Sequence, residues 1–401
     1  MNIDGAVKTN VAQDGQIEYI DIIRIFSMLS VVFLHTAAGS LRGNIGSGVW
    51  HLSNVFTTVM GTSVPLFFII SGALTLHSPK TLSIEYVWKK RLVKMIVPFL
   101  IWSLVAIAYF EVINLGNSGS FRWDIVIKKL KNAPSEATTV HLWFMYVLIP
   151  LYVLAPLLKK MLDALTRDLV KYLLFLWLVF SSIIPTLISL IPARFQPLLT
   201  LNQAYNLNFM SGYMGYFIAG YFLVAEGKRL SKKLLAGIIF IDTLIISFGT
   251  WIKTSQANDY SEVFKGYSHI FTLVLSVALF LLIREIFRDR RLSRTASGIV
   301  KFLSQISFGV YLMHNLIVDF VSRKIALWPA NSVVTLIMAY FIISLISIVS
   351  VILLASFKLT CFTFTGLSFA NASKTCNIQY FSRKLFCRSS VNEQQESHFQ
   401  A

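Results

Sequence analysis

Cysteine is nearly missing from this chain. There are three in 401 residues, Cys361, Cys376 and Cys387, all close to the C-terminus. With none in or between the apolar stretches, no disulfide framework is available to the rest of the chain. Charge is scarce too: Asp, Glu, Lys and Arg make up 14% of the residues, 55% are hydrophobic, and the mean hydropathy is +0.66. A soluble protein so poor in charge would precipitate, so the composition excludes a string of soluble domains and leaves a polytopic membrane protein whose spans form one bundle. Acids are scarcer than bases, 19 against 36, for a formal charge of +17. That balance does not indicate nucleic-acid binding, because the basic residues fall in short loops between apolar runs, as membrane topology requires. The polar first twenty residues and the apolar run after them lack a basic n-region and a cleavage site, so no cleavable signal peptide is expected. No internal repeat is visible, which weakens an inverted-repeat transporter reading.

What the chain does have is a series of ten apolar runs, at about 20–39, 54–76, 95–113, 141–158, 172–191, 206–225, 234–252, 268–287, 302–321 and 332–357. With the N-terminus inside, the inside segments hold roughly 25 Lys and Arg and the outside loops roughly 10, a ratio that the opposite orientation inverts. The expectation is therefore an all-α bundle of about ten transmembrane helices with both termini cytoplasmic. Its parts are a cytoplasmic segment 1–19, a membrane domain 20–357 and a tail 358–401, rich in Ser, Asn and Gln, that reads as cytoplasmic and mostly disordered. In the outside loop 114–140, WDIVIKKLKNA reads as a short amphipathic helix on the outer face.

The chemistry begins in the first run, IDIIRIFSMLSVVFLHTAAGS, from Ile20 to Ser40. Eleven helical steps separate Arg24 from His35, which puts both on one face about 16 Å apart. Titratable groups inside a span are costly and point to function. The competing reading of Arg24 is snorkelling to the headgroups. His141 and His314 fall in the same outer half of the membrane as His35, and imidazole is the side chain best poised to take and return a proton. His141 also reads as an interfacial residue beside Trp143, and His314 as a packed histidine bonded to Tyr311 or Asn315. Zinc on three histidines lacks an HxxxH or cysteine partner, so no metal is expected. Lys89, Lys90, Arg91 and Lys94 form a basic run that serves the positive-inside rule and equally suits phosphate. Pro65 in the second run frees a backbone carbonyl and tends to kink the helix. Asp242 is a lone acid in the seventh run, paired with a cation or facing a water-filled cavity.

These residues carry a resemblance. IDIIRIFSMLSVVFLH, SVPLFFIISG, HLWFMYVLIPLYVLAP and ISFGVYLMH, in that order, resemble segments of the acyltransferase 3 family of integral membrane acyltransferases, over about residues 18–357. The pattern is closest to the stand-alone bacterial surface-polysaccharide O-acetyltransferases, such as the one acting on enterobacterial common antigen. The resemblance implies transfer of an acyl group, acetyl by default, from cytoplasmic acyl-CoA to a hydroxyl of an extracytoplasmic or lipid-linked glycan, in a bacterial cell membrane. It implies that Arg24 and His35 are the family's essential first-span pair, and that Arg91 and Lys94 stand at its cytoplasmic Arg-x-x-Arg motif. Lys94 departs from that motif, keeping the charge but losing bidentate phosphate recognition.

In the mechanism this implies, Arg24, Arg91 and Lys94 meet the phosphates of acetyl-CoA and its thin arm threads between helices towards His35. His35 serves as general base, or as the nucleophile of an acyl-histidine. Tyr311, Asn315 or a backbone N–H near Pro65 would support the oxyanion, and His314 is the second candidate for the base. His141 and Trp143 face the glycan acceptor. A transporter of a lipid-linked sugar or small metabolite remains the alternative.

Overall fold

In lipid only a helix or a closed barrel satisfies every backbone N–H and C=O internally, so long apolar runs with helical caps fold as helices. The computed structural model describes residues 18–200, 212–290, 292–324 and 332–368. Among them are helices and no strand. The elements used below are α1 (Glu18–Arg42), α2 (Gly48–Met60), α3 (Ser63–Leu76), α4 (Ile84–Ser118), α5 (Trp123–Asn132), α6 (Trp143–Ala164), α7 (Arg167–Leu190), α8 (Met214–Ala225), α9 (Lys232–Ala257), α10 (Ile270–Phe287), α11 (Arg294–Lys324), α12 (Val333–Ser356) and α13 (Lys358–Thr365). Among the described residues nine helices are long and apolar enough to cross a membrane, counting α2 and α3 as one. Of the expected sixth span, 206–225, only the short apolar helix α8 is described, and residues 206–211 lie outside the described residues. So does the segment 1–17. The amphipathic stretch of the third loop forms α5, which buries none of its residues.

The second span is a broken helix. α2 ends at Gly61, whose N–H bonds Thr57 O, and the Thr62 hydroxyl folds back onto Val59 O at 2.7 Å. Pro65 then falls in the first turn of α3, where a missing N–H costs little. The ring deprives the Gly61 carbonyl of the N–H it would meet in a continuous helix, so the break lies at Gly61–Thr62 rather than at the proline.

α3 and α8 cross where two glycines let their backbones meet. A Cβ on Gly72 would lie 1.8 Å from Phe217 O, and one on Gly220 1.9 Å from Ile69 O. Close approach of this kind replaces the hydrophobic drive that lipid does not supply. Gly220→Ala must push the two helices apart, at a cost of about 1–3 kcal/mol or more. The expected result is a lower melting temperature of the purified protein in detergent. Gly237→Ala, at a position with open space around it, should not lower it. The C-terminal end of α8 is capped from α10: Arg284 Nη1 donates to Leu223 O (2.7 Å) and Glu226 O (3.0 Å), while Glu285 neutralises the buried guanidinium at 2.8 Å.

α1 and α11 lie side by side, with α3 and α12 also packed on α1. The start of the tail differs from the expected disorder. After α12 the chain turns at Phe357 into α13, which packs on α4, α11 and α12. The Trp102 indole N–H donates to Phe364 O at 2.8 Å, and Cys361 is buried. The reason is compositional. Phe362, Phe364 and Leu367, all half-buried, give this stretch the apolar surface to dock, whereas the Ser, Asn and Gln behind the disorder reading fall mostly beyond 368, outside the described residues.

Candidate active site

Three elements bring one imidazole each to a common point. α1 carries His35, α11 carries His314, and the single turn before α6 carries His141. The ring centroids lie 5.1 Å apart for His35 and His314, 4.9 Å for His141 and His314, and 6.1 Å for His35 and His141. Tyr311, one turn before His314 on α11, sits against the His141 ring at 5.6 Å.

Hydrogen bonds distinguish the three rings. A carbonyl only accepts, so His141 carries its proton on Nε2, which donates to Leu312 O at 3.1 Å, and its Nδ1 accepts from the Thr139 hydroxyl at 3.1 Å. The return bond runs from the Tyr311 hydroxyl to His141 O at 2.6 Å. The two bonds clasp α11 to the turn before α6, and both His141 nitrogens and the Tyr311 hydroxyl proton are committed to them. The tyrosine therefore does not present the free oxyanion donor considered from the sequence; it holds the site together. His314 donates from Nδ1 to Tyr311 O at 2.7 Å, and its Nε2 is bare, buried and without a partner. His35 makes no hydrogen bond among the described residues and is the one of the three left half-exposed. No metal-binding group of three His, Cys, Asp or Glu forms among the described residues.

His35 and His141 line a cavity of about 550 Å³ at the end of α1 that the Lys/Arg asymmetry assigns to the outside. Trp143, Phe67, Phe144 and Tyr311 line it as well, as does Gly61 at the helix break. The loop between α9 and α10 lines it too, supplying Tyr260, Glu262, Lys265 and Tyr267. Tyr267 stacks on Trp143, with centroids 5.8 Å apart and planes at 22°. Lys265 reaches down to α2, donating to Asn54 O at 2.9 Å and Thr57 Oγ1 at 2.8 Å.

Burial pushes the Lys265 ammonium from its ordinary 10.5 down to about 7, with the Glu262 carboxylate opposing the shift. Across that window the unfolded chain holds a proton that the folded chain has released, so stability from this site rises with pH. The burial penalty is complete below about pH 7 and fades as pH climbs towards 10.5. The melting temperature of wild type relative to Lys265→Met should therefore increase over this range. A pH-independent difference would show that the amine is not desolvated.

The opposite end of α1 holds a second pocket, of about 420 Å³. Arg24 and Lys94 line it with Ser304, Gln305 and Ser307 of α11 and with Gly366–Ser368. Arg24 Nη1 donates to Ser304 Oγ at 2.7 Å and meets Asp21 Oδ1 at 3.3 Å, and Ser304 donates in turn to Asp21 at 2.5 Å. The Arg24 side chain keeps a quarter of its surface open, 26%. Its carboxylate and hydroxyl partners hold it in place. Arg91 is elsewhere: its guanidinium lies over the Tyr86 ring at 5.6 Å, in a π-helical turn, Val87–Leu92, that swings the basic run outward.

Residues 17–356 match the sequence profile of the acyltransferase 3 family, described as an acyltransferase domain. The chain belongs to that family. It is a multi-pass membrane acyltransferase. No curated protein and no solved structure matches it.

Of the residues the sequence singles out in this acyltransferase, His35, His141, His314, Tyr311 and Trp143 converge at the outer cavity, and Arg24 and Lys94 share the other pocket. Arg91 lines neither pocket, and Asp242 stays apart in α9 with a buried Oδ2 lacking a partner. Sequence reasoning passes over the loop before α10. One signal was there: Lys265 is a lone base amid Tyr260, Phe264 and Tyr267 in an outside loop, against the positive-inside trend.

Proposed function

We propose that this acyltransferase moves an acyl group, acetyl by default, from cytoplasmic acyl-CoA to a hydroxyl of a cell-surface glycan or lipid-linked oligosaccharide, at a bacterial inner membrane. The observation that carries this reading is one helix with a pocket at each end. α1 presents Arg24 to a cation-lined pocket and, on the same face about 16 Å away, His35 to an aromatic cavity. Phosphates suit the first, through Arg24 and Lys94. A sugar suits the second, whose volume is within the roughly 300–1,000 Å³ of small-molecule sites and whose Trp143 and Tyr267 rings give a sugar face something to stack on. The donor's arm has a short way to travel, because α11 lends walls to both: Phe308 to the cation-lined pocket, and Tyr311, one turn on, to the cavity.

The ring arrangement supports a division of labour. In the reacting state one nitrogen of His35 would turn to donate to the Nε2 of His314, which has no partner in this structure, and so fix the tautomer and leave the other nitrogen unprotonated. That nitrogen takes the proton of the acceptor hydroxyl as its oxygen attacks the thioester carbonyl. The new C–O bond replaces the C–S bond, and the departing sulfur receives the proton back from His35. His314 is a positioning residue in this scheme, and Tyr311 and His141 keep its helix in register.

The test is reconstitution in vesicles with acetyl-labelled CoA on the cytoplasmic side and surface glycans from the host as acceptor. Label should appear on the glycan, and glycans from a strain lacking the gene should be lighter by one acetyl mass per modified sugar. Glycans of identical mass in the two strains would overturn the reading.

A further inference from the structure

The cation-lined pocket has a wall that belongs to no span. Gly366, Leu367 and Ser368 line it, and they come from the chain that follows the last long helix. Their position is fixed rather than incidental. Trp102 holds Phe364 O, Leu367 N–H bonds Thr365 Oγ1 at 3.3 Å, and the Cys361 thiol meets Leu367 O at 3.4 Å. Gly366 sits at φ +69°, a conformation open to glycine at little cost, and a Cβ there would lie 2.4 Å from Lys94 O. The main chain is thereby pressed against the residue that supplies the second cation.

The lining chemistry is one-sided. Two cations and three serines line the pocket, and no acid does. Gln305, which lines the pocket from α11, keeps a buried Oε1 with no partner. We infer that the segment Gly366–Ser368 is a working wall of a phosphate site, built with Arg24 and Lys94, for a ligand that carries a phosphate group. The identity of that ligand as the acyl donor rests on the function proposed above. The phosphate chemistry does not, since an anionic lipid headgroup offers the same group at the same membrane face.

The test uses the full-length protein, purified in uncharged detergent, with binding of CoA measured by calorimetry. A parallel arm compares nanodiscs of phosphatidylglycerol with nanodiscs of phosphatidylcholine. Ser368→Asp adds a carboxylate to the pocket at a half-buried position and should weaken CoA binding by about tenfold or more. Thr363→Asp adds the same charge to α13 outside the pocket and should leave binding unchanged. Gly366→Val should lose binding as well, with melting curves checking that each variant is folded. Wild-type affinity in both Ser368→Asp and Gly366→Val, with binding lost in Arg24→Ala, overturns the inference and leaves the donor reading standing. Preference for phosphatidylglycerol with no response to CoA removes the donor reading; the wall then stands if Ser368→Asp weakens the lipid binding and falls if it does not. Binding of neither ligand by the wild type overturns both.

Discussion

Replacing His35 with Gln should lower acyl transfer by roughly 10²–10⁴-fold, the usual consequence of losing a general base. The structure makes this a clean substitution. His35 has no hydrogen bond to lose among the described residues, lies half-exposed in the cavity wall and sits at the end of a helix packed along its length, so the variant should insert and melt as the wild type does. Glutamine keeps a polar group at the site but takes no proton at neutral pH. Donor affinity, measured by calorimetry with CoA, should be unchanged because Arg24 is three turns away on the other pocket. A His35→Gln enzyme transferring acyl groups at close to the wild-type rate would move the base elsewhere. His314 would then be first in line, as the neighbouring imidazole whose Nε2 is bare.

The second large effect belongs to Arg24. Hydrogen bonds to charged groups contribute about 1.5–3 kcal/mol, so Arg24→Ala should weaken CoA binding by about ten- to a hundredfold. Removal of the guanidinium also leaves the nearly buried Asp21 carboxylate facing only Ser304 and its remaining neighbours, which adds negative charge where phosphates must come. The loss should appear mainly in KM for the donor, with kcat little changed, since Arg24 does not touch the reacting atoms. Arg24→Lys keeps the charge without the fork geometry and should be intermediate. Arg91→Ala should be milder than either, because its guanidinium rests on the Tyr86 ring outside the pocket. Unchanged CoA affinity in Arg24→Ala would remove this pocket as the donor site.

The parts of the molecule that follow from periodicity are legible in the sequence. An apolar run of sufficient length is a helix in lipid, and eleven steps along it fix the common face of Arg24 and His35. Depth in the membrane, read from run boundaries, puts His35, His141 and His314 at one level, and three rings at one level in a bundle have only a short way to go to meet. What periodicity does not carry is contact between distant segments. Lys265 docks on Thr57, 208 residues away, and Tyr311 on His141, 170 away. Neither pairing leaves a mark on local composition. The role of Tyr311 illustrates the gap: its place beside the histidines is legible, but the direction of its hydroxyl depends on the carbonyl it finds. α13 was obscured for a different reason, as eight helical residues averaged into a long polar tail lose their apolar signal. The break in the second span lies between these cases, with Pro65 visible and the actual discontinuity set four residues earlier by Gly61 and Thr62.

Phe308 and Tyr311 stack with centroids 6.3 Å apart and planes at 18°, one ring in the wall of each pocket. An enzyme that takes one substrate from each side of a membrane is, if its two vestibules ever join, a leak. A pair of flat rings between the two pockets, the one polar atom of Tyr311 tied to His141 O, leaves water and ions little to coordinate there. In the proposed reaction the donor's arm has to pass these two rings, so the donor must be thin where it crosses, and the same rings would spare the cell the short circuit of its ion gradients.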